Sequence, residues 1–217
     1  MHNTIIFDLD GTLLDTLDDL TNSVNYALRK HYLPRKTKDE IRSYLGNGME
    51  RLIELSVPKG KQTKNFYQIL QDFKAYYLVN ANVKTCPYDG IMEMLKVLKE
   101  KGYKLAIVSN KGYLSVNFLH EYYFKDIIEI AIGEKEGIRK KPYPDTVNEV
   151  LSIFNEVSEH AYYVGDSEVD IETAKNGKMT CLSVSWGFRT KSQLKDFGAS
   201  LIFDTPQSLL DYIINND

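Results

Sequence analysis

The stretch IIFDLDGTLLDT, residues 5–16, runs three apolar residues into two aspartates separated by one leucine, and then into glycine. Carboxylates resist burial unless something compensates their charge. Asp8 and Asp10, two apart on an extended chain, project toward the same side. A surface Asp-Gly turn would also account for them. A second acidic pair lies in GDSEVD, residues 165–170, where Asp166 and Asp170 stand four apart and share a face if a helix starts there. Acidic charge in a helix's first turn is the ordinary explanation of that pair. Brought together, Asp8, Asp10, Asp166 and Asp170 carry a charge of about −4 into one crevice, which needs a cation, and an all-oxygen ligand set points to magnesium.

Other residue types suit the same place. Lys141, in RKKPYP, supplies a positive charge, although most such basic runs are solvated loops. Ser109 opens Ser109-Asn110-Lys111 and offers a hydroxyl, although it could also cap a following helix. A hydroxyl, a magnesium ion and an ammonium group together make a receptor for a phosphoryl group; Asn110 is counted with them as a substrate-binding candidate. No Gly-rich Walker-type loop is present, so nucleotide binding by that route is unsupported. Gly46-Asn47-Gly48 precedes the helical pattern MERLIELS and could aim backbone N–H groups and the Asn47 amide at a leaving group. A plain connector between two helices explains that loop equally well.

These residues need elements to position them. Short apolar, β-branched runs recur at TIIF (4–7), KLAIVS (104–109), IIEIAI (127–132), AYYV (161–164), CLSV (181–184) and SLIF (200–203), and they read as buried parallel strands. Helical patterns lie between them at 91–102, 145–155 and 206–215. The alternation predicts an α/β fold with a doubly wound, Rossmann-like parallel sheet. Ligands of such sheets sit beyond the carboxyl ends of the strands, where the polar groups above collect. Residues 16–81 contain only helical patterns, so they are expected to form a helical cap inserted after the first strand. Residues 1–15 and 82–217 then form the core. PKGKQTK (58–64) reads as a solvated loop of the insert.

The totals exclude several classes. The chain has 217 residues with a formal net charge of −3, which argues against nucleic acid or an anionic membrane as the main partner. Two cysteines, Cys86 and Cys181, are too few for a disulfide framework or a zinc site. No apolar run approaches the roughly 20 residues of a membrane span, and Asp8 cuts short the N-terminal apolar run, so no signal peptide is expected. A soluble cytoplasmic protein is the resulting expectation; the phosphoryl receptor described above adds a small phosphorylated metabolite as partner, with the chain a monomer or homodimer.

DLDGTLLDT, SNK, KPYP and GDSEVD stand in the order and at roughly the spacing of the four motifs of the haloacid dehalogenase-like hydrolase superfamily, which the chain resembles over nearly its whole length. The helical insert is similar to that superfamily's first-type cap. GNGMERL (46–52) and WGF (186–188) resemble the phosphoglycolate phosphatase branch. The resemblance implies Asp8 as nucleophile, forming an aspartyl-phosphate, and Asp10 as general acid/base. It implies magnesium held by Asp8, the Asp10 carbonyl and Asp166, with Asp170 acting through other ligands. Ser109 and Lys141 would hold phosphoryl oxygens, and Thr12 would orient the first loop. The sequence IGEKEGIRKKP replaces the glycine-glycine-aspartate common before the motif lysine, and PYDG (87–90) replaces a proline-rich version, so phosphoglycolate itself is less firmly implied. A β-phosphoglucomutase-like enzyme, a pyrophosphatase and a sugar-phosphate or nucleotide phosphatase remain open within the superfamily. The threonine of DGT favours a phosphatase over the mutase. A phospho-accepting receiver domain is the alternative from another class, but its acceptor lies on a middle strand and no insert interrupts it.

Overall fold

The computed structural model describes residues 2–216. In chain order its first elements are β1 (Thr4–Phe7), β2 (Leu14–Asp15), α1 (Leu17–Lys30), α2 (Lys38–Tyr44), α3 (Met49–Ser56) and α4 (Phe66–Asn80). They are followed by β3 (Cys86–Pro87), α5 (Ile91–Glu100), β4 (Lys104–Gly112), α6 (Tyr113–Tyr123), β5 (Ile130–Glu134) and α7 (Asp145–Phe154). The chain ends with β6 (Ala161–Gly165), α8 (Glu168–Asn176), β7 (Thr180–Val184), α9 (Lys191–Asp196), β8 (Ile202–Phe203) and α10 (Pro206–Asn215).

Six strands form one sheet of order β5-β4-β1-β6-β7-β8, and every neighbouring pair is parallel. Side chains alternate across β1: Ile5 and Phe7 join an apolar cluster with Leu95 of α5, Leu119 of α6 and Leu209 of α10. Ile6 enters the cluster on the other face, with Val150 of α7 and Ala174 of α8. Both faces are covered, which is why the strand sequences are continuously apolar. The chain winds outward from β1 through β4 to β5, then returns to place β6 on the other side of β1. That reversal opens the crevice between the carboxyl ends of β1 and β6 where ligands of such sheets bind.

The expected strands are present with shifts of boundary, the largest at three of them. In IIEIAI, Ile127 and Ile128 are buried but precede the strand, because Phe124 O accepts from both of their N–H groups and continues the end of α6 as a turn. Of SLIF only Ile202 and Phe203 pair, at the sheet edge beside β7. β4 runs on through Asn110 and Lys111 to Gly112.

Helices α1 to α4 pack on their own apolar cluster, which includes Val24, Ile41, Ile53, Phe73 and Tyr77. Among the described residues Phe188 is the only buried member of that cluster from outside residues 17–81. In PKGKQTK a short 3₁₀ turn spans Gly60–Gln62. The two ends of the insert are joined by β2 and β3, which pair antiparallel through Leu14 with Pro87 and Asp15 with Cys86; neither strand was expected, because two residues leave no periodic signal. Cys86 and Cys181 are free thiols.

A second tie at this junction is the buried Asp19 carboxylate of α1. Its Oδ2 accepts from the backbone N–H groups of Val83, Lys84 and Thr85 at 3.0, 2.8 and 2.8 Å, and from the Thr85 hydroxyl at 2.9 Å. Hydrogen bonds to a charged group are the stronger kind, and removing the acceptor strands several donors at once. Asp19→Ala is therefore expected to lower the unfolding free energy by about 3 kcal/mol in urea denaturation, and a loss below about 1 kcal/mol would contradict this account of the junction.

Candidate active site

The parallel pairing of β1 with β6 sets Phe7 beside Val164, so Asp8 leaves the sheet beside Gly165, one residue before Asp166. One ligand oxygen from each of Asp8, Asp166 and Asp170 lies within 4.8 Å of the others, and all three residues are buried. The face-sharing expected for Asp166 and Asp170 has a different origin, because α8 begins only at Glu168. Asp166 precedes the helix, while Asp170 closes a capping box in which Ser167 N and Oγ donate to its Oδ2 at 3.1 and 2.5 Å. The ordinary role of an acid in a first helical turn and a place in the cluster thus coincide in one residue.

Lys141 is not a solvated loop residue but is buried at 3% exposure. Its Nζ lies 2.8 Å from Asp8 Oδ1, 2.8 Å from Asp170 Oδ1 and 2.9 Å from the Tyr163 hydroxyl. The Tyr163 hydroxyl also donates to Asp170 Oδ1 at 3.1 Å, so both Asp170 oxygens are saturated by protein donors. Burial would lower the Lys141 ammonium, but Asp170 and Asp8 outweigh it and hold the lysine charged, well above its usual range.

The acids feel the opposite pressure. Burial pushes Asp8 up to about 7, with Lys141 opposing and Asp170 adding to the rise. Burial, with Asp170 and Asp8 nearby, holds Asp166 well above the usual carboxylate range. Asp166 Oδ2 accepts from Phe188 N at 2.6 Å, and Oδ1 from the Thr12 hydroxyl at 3.4 Å. Gly11, at φ +86°, is needed here because a Cβ would come within 2.4 Å of Asp166 Oδ2. Buried, oxygen-only acids at this spacing, resisting ionisation for want of positive charge, fit a small hard cation.

The cavity in front of these acids is lined by Asp8, Asp10, Ser109, Asn110, Lys111 and Asp166 on the sheet side. Its roof is Leu20, Leu45, Gly46, Gly48, Met49 and Leu52 of the insert, with Phe188. Ser109 does not cap α6, which starts at Tyr113 after Gly112; its Oγ faces the cavity and accepts from Lys111 N at 3.2 Å. The Asn110 amide points its Nδ2 at the carbonyls of Gly46 and Lys141, both at 3.0 Å. Its donors therefore brace the insert loop and the lysine loop. Thr12 is fully buried, and its hydroxyl serves Asp166. Asn47 is not among the lining residues; its carbonyl accepts from Lys140 Nζ at 3.0 Å.

Several participants were not expected from the sequence. Lys111 is buried, pairs with Asp10 at 3.0 Å and donates to the Tyr77 hydroxyl of α4 at 2.5 Å. Asp10 and Asp170 hold the neighbouring lysines, so two cations face four acids. Lys111 stood in the SNK motif, but nothing along the chain indicated its partner, since Tyr77 lies 34 residues earlier. Tyr163 belongs to an apolar strand, and its hydroxyl partner comes from α8.

The fold is a doubly wound parallel sheet with acids, a lysine and a hydroxyl gathered at its switch point under a helical roof. The model of the haloacid dehalogenase-like hydrolase family matches residues 5–184, and the chain belongs to that family. A phosphoglycolate phosphatase of Aquifex aeolicus (strain VF5) is 35% identical over 213 residues, covering 97% of this chain and 98% of its own. Pyrophosphatase PpaX of Listeria welshimeri is 29% identical over 216 residues, covering 95% and 94%. A crystal structure from Lactobacillus delbrueckii subsp. bulgaricus, provisionally described as a phosphoglycolate phosphatase, matches with a TM-score of 0.93 at 35% identity over 98% of each chain. Within the family this chain is a phosphatase of the phosphoglycolate phosphatase-like branch, which sets aside the receiver alternative. Among the described residues no helix is long and apolar enough to cross a membrane.

The electrostatics of Asp8 are measurable without substrate. Its folded value, about 7, exceeds its ordinary 3.8, so its contribution favours the fold fully below about pH 3.8 and is lost as pH rises through 7. In a chelator, the unfolding free energy of the wild type should fall relative to Asp8→Asn between about pH 4 and pH 7, by at most on the order of 4 kcal/mol. Parallel pH profiles of the two proteins would contradict the burial argument.

Proposed function

We propose that this phosphatase is magnesium-dependent and hydrolyses a small, phosphoglycolate-like phosphomonoester through an aspartyl-phosphate on Asp8. The observation that carries the reading is the Asp8 carboxylate, lining a cavity while its Oδ1 is held by Lys141 beside Asp166 and Asp170. Asp8 and Asp166, with the Asp10 carbonyl, are assigned to the metal, and Asp170, already saturated by Lys141, Tyr163 and Ser167, to its surroundings. When bound, magnesium neutralises negative charge on the phosphoryl oxygens and on the two acids.

The chain's own groups perform the transfer. An Asp8 oxygen attacks phosphorus, and the bond from phosphorus to the alkoxy oxygen breaks. Lys141 and the Ser109 hydroxyl stabilise charge on the transferring oxygens. Asp10 gives its proton to the departing alkoxide, then takes one from the water that attacks the acyl-phosphate. Phosphate leaves and Asp8 returns as carboxylate. Among the described residues Lys111 is the only lysine or arginine lining the cavity, and it pairs with the Asp10 carboxylate, which orients it between the two proton transfers.

Substrate size follows from the roof. Leu20, Leu45, Met49, Leu52 and Phe188 offer no polar side chain to a sugar or a base, which favours a small leaving group. The phosphoglycolate and pyrophosphate activities named for the relatives both release a small anion, and Lys111 is the cation in the wall that meets one. The helical unit 16–81 is read as a cap that opens on β2 and β3 to admit substrate.

Asp8→Asn should abolish turnover and leave no covalent phosphate on the protein. Asp10→Asn should retain attack on an aryl phosphate, whose leaving group needs little protonation, and accumulate phosphate on Asp8 because no base activates water. Mass spectrometry after exposure to magnesium and aryl phosphate reads both results. Phosphate on the Asp8→Asn protein, or on Ser109, would overturn the nucleophile assignment. In a panel with magnesium, phosphoglycolate should exceed hexose phosphates in kcat/KM by at least about tenfold; equal values would overturn the substrate reading.

A further inference from the structure

The segment Trp186–Arg189, after β7, is bonded at once to the first loop, to Asp166 and to the helical insert. Trp186 Nε1 donates to Thr12 O at 3.0 Å. Gly187 packs so tightly that a Cβ there would lie 2.1 Å from Gly11 O and 2.4 Å from Asp166 Oδ2. Phe188 turns both ways: its N–H donates to Asp166 Oδ2, and its side chain sits in the apolar cluster of the insert. Arg189 fastens the far end. Its guanidinium holds Glu168 of α8 through Nε and Nη2 at 2.8 and 3.0 Å. It also donates to Arg42 O at 3.2 Å and Leu45 O at 2.9 Å, at the C-terminal end of α2.

Each contact has a physical purpose. Carbonyls at a helix C-terminus lack partners within the helix and carry partial negative charge, so a cation is favoured there. Glu168 in the first turn of α8 gives that cation a bidentate partner on the core. The residue is buried, 7% exposed, so leaving its donors unpaired would be costly. A shift of α2 relative to the sheet removes two acceptors from Arg189 and withdraws the apolar surroundings of Phe188. Phe188 N and the close-packed Gly187 cannot then stay in place, and both abut Asp166.

We propose that Arg189 is a latch, a positioning residue that couples the seating of the helical insert to the placement of the Asp166 carboxylate. Docking of the insert and occupation of the Asp166 site then favour each other reciprocally. An anion that draws the insert onto the core tightens the metal, and the metal holds the insert closed. The latch rests on the reading of Asp166 as a metal ligand.

The chain's single tryptophan, Trp186, belongs to this segment, so its fluorescence reports the segment directly. Magnesium chloride is titrated into the full-length wild type, Arg189→Met and Arg189→Lys, with and without orthovanadate, by calorimetry and by tryptophan fluorescence. The wild type should bind magnesium with a change in Trp186 emission and bind it more tightly with orthovanadate. Arg189→Met should bind magnesium about tenfold more weakly and show no tightening by orthovanadate. Arg189→Lys, which keeps the charge but not the fork, should recover part of the coupling. If Arg189→Met does not fold, Glu168→Gln, which weakens the clamp on the core side only, should show the same loss of coupling to a smaller degree. Wild-type affinity and wild-type tightening by orthovanadate in a folded variant would overturn the latch. Absence of magnesium binding by the wild type would instead overturn the metal reading on which it rests.

Discussion

Crowding of carboxylates at the carboxyl ends of β1 and β6 is the condition that the surrounding structure answers. Asp8 directly follows β1 and Asp166 directly follows β6, and a carboxylate oxygen of each lies within 4.8 Å of the other. Asp170 approaches from the first turn of α8. Lys141 reaches two of the three and brings Tyr163 with it, so one ammonium is ringed by two carboxylates and a phenol hydroxyl. Attraction is strong in so dry a place, but so is the cost of removing any one partner. Even with Lys141 in place Asp8 and Asp166 remain pushed toward their protonated forms, so the site is short of positive charge. A buried oxygen-only site with that deficit fits a small hard cation.

The helical insert meets this constraint from above. It presents apolar side chains to the cavity, which adds low-dielectric surface beside the charges beneath. Its polar ties to the rest of the chain lie around the rim and at the junction. Asp19 binds the returning strand segment, Tyr77 accepts from Lys111, and the carbonyls ending α2 accept from Arg189. The sheet-end acids and the roof over them are thereby separate parts of the fold joined by hydrogen bonds.

Much of this was legible along the chain. The sheet strands, most helices and the sheet-end motifs are carried by local signals: β-branched runs, helical spacing, and polar residues at strand ends. Asp8, Asp10, Ser109, Lys141, Asp166 and Asp170 could be nominated because their residue types mark phosphoryl chemistry wherever they cluster. Their individual roles could not be read in the same way. Thr12 was expected to orient the first loop and Asn110 to serve as a substrate-binding candidate; the Thr12 hydroxyl bonds Asp166, and the Asn110 amide bonds two carbonyls. A hydroxyl or amide gives no sign in sequence of which neighbour will claim it.

What the sequence alone determined was therefore the α/β class and the run of helices after the first strand, since each depends on residues near one another in the chain; the acids, lysine and hydroxyl it could only nominate. The tertiary structure decided the pairings. Lys141 meets Asp8 across 133 positions, Arg189 meets Leu45 across 144, and Trp186 meets Thr12 across 174. No periodicity records such distances. They follow from the winding order of the sheet and from the packing of the insert on it, and only a folded chain brings the partners within reach.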